Sequence, residues 1–178
     1  MKKHSVITIT LLSMIIGIVS YALYKRIIII QLPSLSNEQT VVGHTTKKNS
    51  TVYYWYQGSW KHEITTIIAT ENKSDTVSYV VTNWLNVLEQ SAGFAKNIRL
   101  EQVMFSPSGS DLYLSFDKTL FAKEEATFEK WMRMEGLLKT VQAAQLGISR
   151  VYTLVHHKPL FDDHLDFSCP WPIQGFLE

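Results

Sequence analysis

"TVQAAQLGISRVYTLV", Thr140 to Val155, is the stretch whose reading decides the fold. Its first half continues a helical pattern that begins upstream in "KEEATFEKWMRMEGLLK", where Phe128, Trp131, Met132, Leu138 and Val141 can share one face. Gly147 can close that helix, because glycine takes the left-handed backbone conformation at little cost. After Gly147 the apolar period drops to two, and in "SRVYTLVHH" Val151, Thr153 and Val155 fall on one side of a strand. A long amphipathic helix running into a half-buried strand is the end of an α+β layer rather than of a helical bundle.

The units upstream repeat that grammar. "NIRLEQVMFSPSGSDLYLSFD" reads as a hairpin: Leu100, Val103 and Phe105 precede the "SPSG" turn, and Leu112, Leu114 and Phe116 alternate after it. "SDTVSYVVTNWLNVLEQSAG" reads as a helix with Val77, Val80, Val81, Trp84, Leu85 and Leu88 on its apolar face, capped by Ser74 or Asp75 and ended by Gly93. "TVYYWYQGSWKHEITTIIATE", Thr51 to Glu71, reads as a first hairpin with Gln57-Gly58 as its turn. The order is ββ-α-ββ-α-β, which predicts a small mixed or antiparallel sheet with two helices packed on one face. A body of about 130 residues can bury two thirds of its unfolded surface, enough for its own core.

The N-terminus follows a different pattern. Lys2 and Lys3 lead an uncharged run from Ser5 to Leu23, and Lys25-Arg26 follow it. As a helix that run spans roughly 28 Å, close to the ~30 Å hydrocarbon core of a bilayer. Residues 1–26 therefore read as a membrane anchor, with a cleaved signal peptide ending near Ser20-Tyr21-Ala22 as the alternative. The polar stretch 27–50 reads as a tether and 51–178 as an extracytoplasmic body. The lone cysteine, Cys169, forms no intrachain disulfide, and none follows the apolar run as a lipid-attachment residue. The formal charge is +1. Lys2, Lys3, Lys25 and Arg26 account for four of the 17 basic residues, leaving 13 against 16 acidic ones. A mildly acidic body is a poor match for nucleic-acid phosphates.

Chemistry is sparse. There is no phosphate-binding glycine loop, no helical His-x-x-x-His, no cysteine pair and no serine nucleophile elbow. Glu124 and Glu125 read as a solvated helix start. The one dense cluster is "HHKPLFDDHLDF", His156 to Phe167, where His157 and His164 with Asp163 and Asp166 are candidate metal ligands for a hydrolase. His156 and His157 are adjacent and on a strand would point to opposite faces. The plainer reading is a strand end and a polar turn whose side chains bond to backbone. The aromatic hairpin from Tyr53 to Trp60 could instead hold a cell-wall fragment or small ligand, although half-buried sheet is the simpler use of such residues. Trp171, Ile173 and Phe176 in the proline-bounded tail pack over the sheet or form a partner surface.

Taken together, the layout resembles the GerMN domain of spore-germination and other bacterial envelope proteins, from about Val52 to Pro170. The resemblance rests on "VYYWY", "NWLNVLEQ", "LYLSFDKTL" with Phe116-Asp117, "TVQAAQLGISRVYTLV" and the closing "DHLDFSCP", in which Asp163 stands where the family has glycine. It implies a ring-building-type α/β module that works by assembly or protein interaction, without catalytic residues or a cofactor. In that reading Asp117, His164, Asp166, Ser168 and Pro170 are structural, and the partners are the membrane, other envelope proteins and further copies of the chain.

Overall fold

Alternation and turn chemistry build the first hairpin. The computed structural model describes residues 46–92 and 97–176. Strand β1, Thr46–Tyr56, pairs antiparallel with β2, Ser59–Ala69. Gln57 and Gly58 join them with φ of 51° and 75°, the two left-handed residues of a type I′ turn, whose twist matches that of the strands. Val52, Tyr54 and Ile67 are buried on one face, while Ile64 and Thr66 point outward on the other. β1 starts at Thr46, inside the stretch expected to be tether. Thr46 to Ser50 pair with Ala69 to Thr65 although Lys47 and Lys48 give them no strand-like periodicity. The anchor segment Ser5 to Leu23 lies outside the described residues, and no helix among those residues is long and apolar enough to cross a membrane.

Helix α1, Lys73–Val87, buries Val77, Val80, Val81, Trp84 and Leu85, the face its spacing predicts. Its cap is Asn72 rather than Ser74 or Asp75: the Asn72 carboxamide oxygen accepts the Ser74 N–H at 2.9 Å. The helix continues as a π-type turn over Leu88–Ala92. Gly93, its expected terminator, lies outside the described residues.

The second sheet holds β3, Leu100–Phe105, and β4, Asp111–Phe116, as an antiparallel pair with Gly109 at φ 74° in the turn. β4 then pairs in parallel with β5, Arg150–Val155, through the crossover helix α2, Thr127–Ala143. Short strands β6, Lys158–Pro159, and β7, Trp171–Pro172, both pair antiparallel with β5. The expected single sheet is therefore two: a β1–β2 ribbon and a mixed sheet ordered β3-β4-β5-β6.

The sheets stay separate because helices, not a strand, occupy the outer edge of β1. The Tyr53 N–H donates to Thr140 Oγ1 at 2.9 Å, and the Tyr53 carbonyl accepts from Trp84 Nε1 at 3.2 Å. Side chains thus satisfy backbone groups that a third strand would otherwise take. Gly136 permits this closeness, since a Cβ there would sit 2.9 Å from the Tyr53 carbonyl oxygen.

α2 is buried nearly all round. Met134, Leu137, Leu138 and Val141 share one core cluster with Val52, Tyr54, Trp84, Leu112, Leu114, Phe116, Val151 and Trp171. Burying each such large side chain contributes about 1.5–3 kcal/mol, which outweighs the modest intrinsic helix propensity of the segment. Phe128, expected on the buried face, is exposed and packs edge-on against Trp55. The first turn also departs from expectation. The helix begins at Thr127, and Glu125 is no solvated helix end: it makes a close ion pair with the buried Arg133, which also donates to the Leu120 carbonyl at 2.6 Å.

Candidate functional site

The cluster from His156 to Phe167 takes its shape from a second type I′ turn. His156 and His157 have φ of 48° and 63° and form the two-residue connection between Val155 and Lys158. They belong to a turn, not to opposite faces of a strand. The His157 N–H donates to Ser115 Oγ at 3.0 Å, and His156 Nδ1 lies 3.0 Å from Glu101.

Beyond β6, Leu160, Leu165 and Phe167 turn into the core and hold the loop from below. Asp162 holds it from within. Its Oδ1 accepts the N–H groups of His164 at 3.0 Å and Leu165 at 3.1 Å, and its Oδ2 meets the buried Lys130 ammonium at 2.5 Å. Burial alone would raise the Asp162 carboxyl. The Lys130 bond and the two backbone N–H groups outweigh it and hold the group below the ordinary carboxylate range. Asp166 makes a further local turn. Its Oδ1 accepts the Ser168 hydroxyl at 2.6 Å and the Ser168 N–H at 2.8 Å, which lowers its pKa. The Trp171 indole N–H donates to the Asp166 carbonyl at 3.1 Å.

The result is a braced loop around an open hollow of about 470 Å³, with Phe161 85% exposed at its lip. Asp163 and His164 face solvent, and the His164 ring has no protein hydrogen-bond partner among the described residues. The four candidate metal ligands are not gathered into one site. Asp166 is engaged by Ser168, His157 sits in the hairpin turn, and among the described residues no three of His, Cys, Asp and Glu are placed to hold one ion. Cys169 is exposed, with the Ser168 hydroxyl 3.9 Å from its sulfur.

The aromatic residues behave similarly. Trp55 and Trp60 meet edge to face at 5.5 Å, and Lys139 lies 5.5 Å from the Trp60 ring, so the hairpin aromatics largely pack on α2. Of the tail residues offered as a partner surface, Trp171 and Ile173 are core residues and only Phe176, 56% exposed, reaches solvent. Trp131, Trp171 and Phe176 form an edge-to-face triangle with centroids 5.4–5.8 Å apart. Glu135 anchors that triangle, accepting the Phe176 N–H at 2.8 Å and the Trp131 indole N–H at 3.2 Å. Asp117 bonds to the strand entry opposite it: its carboxylate accepts the Arg99 N–H at 2.7 Å and its own N–H donates to the Arg99 carbonyl.

Lys130, Arg133 and Glu135 went unnoticed in the sequence because helical periodicity assigns charged residues to the solvent side. For Lys130 and Arg133 the available signal was spacing, since 130, 133, 134, 137 and 141 form one continuous helical stripe; Glu135 lies off that stripe and carries no such signal.

No protein-family model matches the chain, and no curated protein matches it. Solved structures similar to it include the following two. A candidate lipoprotein from Clostridium perfringens is 16% identical over 74% of this chain and 89% of its own, with a TM-score of 0.47. The tandem GerMN domains of the sporulation protein GerM from Bacillus subtilis are 13% identical, with a TM-score of 0.50. That match covers 74% of this chain and 46% of the other, so this chain spans about half of the tandem structure. At such identity the likeness is one of architecture, and in architecture the body of this chain is a GerMN-like domain.

Proposed function

We propose that this chain is a non-catalytic, membrane-anchored module of the bacterial cell envelope whose body binds other proteins. The observation that carries the reading is a combination: an uncharged apolar run, Ser5 to Leu23, placed ahead of a GerMN-like body. GerM, whose tandem domains share that architecture, is a sporulation protein, which favours an envelope setting here without implying sporulation itself. The braced loop also favours binding over chemistry. Its polar side chains are engaged with backbone and with one another, and what it offers outward is an exposed phenylalanine with Asp163 and His164 beside it.

The test is photo-crosslinking from Phe161 and Phe176 in live cells carrying the full chain, with identification of the captured proteins. Envelope proteins captured from one of these positions, and not from buried Leu138, support the reading. A chain that fractionates away from membranes and captures no envelope protein overturns it.

A further inference from the structure

The β1–β2 ribbon has two outer edges, and they are treated differently. Backbone groups of Tyr53 point off the outer edge of β1, as their bonds to Thr140 and Trp84 establish. In an antiparallel pair the residue opposite must then point off the other edge, and His62 is opposite. The two-residue period carries this outward orientation to Ile64, Thr66 and Ile68. Among the described residues no hydrogen bond reaches these backbone groups from beyond the ribbon. On β1, α2 and Trp84 cover the edge, and Lys47 and Lys48 guard what remains. On β2, Ile64 is 71% exposed, Ile68 is 36% exposed, and Thr66 lies exposed between them with no ionised side chain in that row. A long edge whose outward row from Ile64 to Ile68 carries neither charge nor bulge is a template for another strand.

We propose that β2 pairs edge to edge with β2 of a second copy, antiparallel and centred on Thr66. The strand is self-complementary in that register. Ile64 lies across from Ile68 of the second copy and Thr66 across from Thr66, each repeated by the two-fold axis. Sliding two residues one way sets Thr66 against Ile68, and sliding two the other way sets Ile64 against Thr66 and His62 against Ile68. Either slip breaks both Ile–Ile pairs, so the apolar pairs select one register. The contact gives the scaffold reading one defined partner and rests on that reading only for its role, since the geometry belongs to β2 alone.

The test uses the full chain in detergent with micelles in excess, in a Cys169→Ser background. Thr66→Cys places its sulfur at the two-fold axis. A hydrogen-bonded antiparallel pair holds Cα atoms about 5.5 Å apart, inside the 4.4–6.8 Å window for a disulfide. Thr66→Cys should give mostly disulfide dimer on mild oxidation. Ile64→Cys and Ile68→Cys should each give at least tenfold less alone but crosslink when mixed. Thr66→Lys should abolish the dimer while leaving the circular dichroism melt in place. Equal crosslinking at all three positions, or none at Thr66→Cys in a folded chain, overturns the proposal. Either result leaves the capture of other envelope proteins unaffected, so failure here and failure of the envelope reading are separately visible.

Discussion

Lys130 tests the account of the braced loop most directly. Its side chain is 3% exposed and that of Asp162 is 9%, so removing either partner leaves the other charged and buried. Losing one partner of such a pair typically costs about 3–5 kcal/mol, a large part of the 5–15 kcal/mol by which domains are stable. Unfolding entropy of about 2.1 cal/mol/K per residue, over about 130 residues, converts this to a fall in Tm of roughly 11–18 °C. Lys130→Met should therefore melt far below the wild-type chain in detergent, followed by tryptophan fluorescence and confirmed by urea titration. Asp162→Asn keeps an oxygen that can accept from His164 and Leu165 while removing the charge. Added to Lys130→Met, it should recover at least about 1 kcal/mol, because no uncompensated carboxylate remains. The pH dependence has a definite sign. The folded-state pKa of Asp162 is lowered, so the stability it contributes is present above the unfolded value of about 4 and is lost as pH falls through the folded one. Asp111, lowered by its bidentate bond to Arg150, and Asp166 act in the same direction. If Lys130→Met costs less than about 1 kcal/mol, or if the two substitutions simply add, the ion pair is not what holds the loop.

Other consequences follow from individual contacts. Trp171→Ala should cost about 3–5 kcal/mol, since the ring is buried against Phe167 and Trp131; deleting residues 171–178 should lower Tm at least as much, and an unchanged melt with lost partner capture would mean the tail docks a partner instead. Gly136→Val should cost about 1–3 kcal/mol, measured by urea unfolding, because the neighbour its Cβ meets is the Tyr53 backbone, which cannot rotate away. Replacing His156-His157 by Asn-Gly should raise stability by about 0.5–1 kcal/mol, since both positions are left-handed. Zinc should leave the melt of either chain where it is, whereas a saturable rise in the wild-type chain alone would restore a metal-binding role to these histidines.

Periodicity carried the fold a long way. The face of α1, the β3–β4 hairpin and the strand with Val151 and Thr153 buried were all legible, because burial of one face imposes a period of 3.6 or 2 on the residues themselves. The turn at Gln57-Gly58 was legible because glycine marks a left-handed position. His156 and His157 occupy the same kind of turn without that mark, and the strand from Thr46 to Ser50 is held by its partner rather than by its own pattern.

By itself the sequence determined the order of the main elements, the apolar face of α1 and of the strands in the main sheet, and the apolar run at the N-terminus, since each is a property of neighbours along the chain. Only tertiary structure decided that the ribbon stands apart from the main sheet and that Asp162 braces the loop from within. It also decided that Trp171 and Ile173 close the core and that β2 keeps an open edge. These outcomes depend on pairs such as Lys130 with Asp162 and Tyr53 with Thr140, which lie 32 and 87 residues apart. Such pairs have no period, so one-dimensional pattern cannot encode them, and the energy that selects them arises only once the core has brought the partners together.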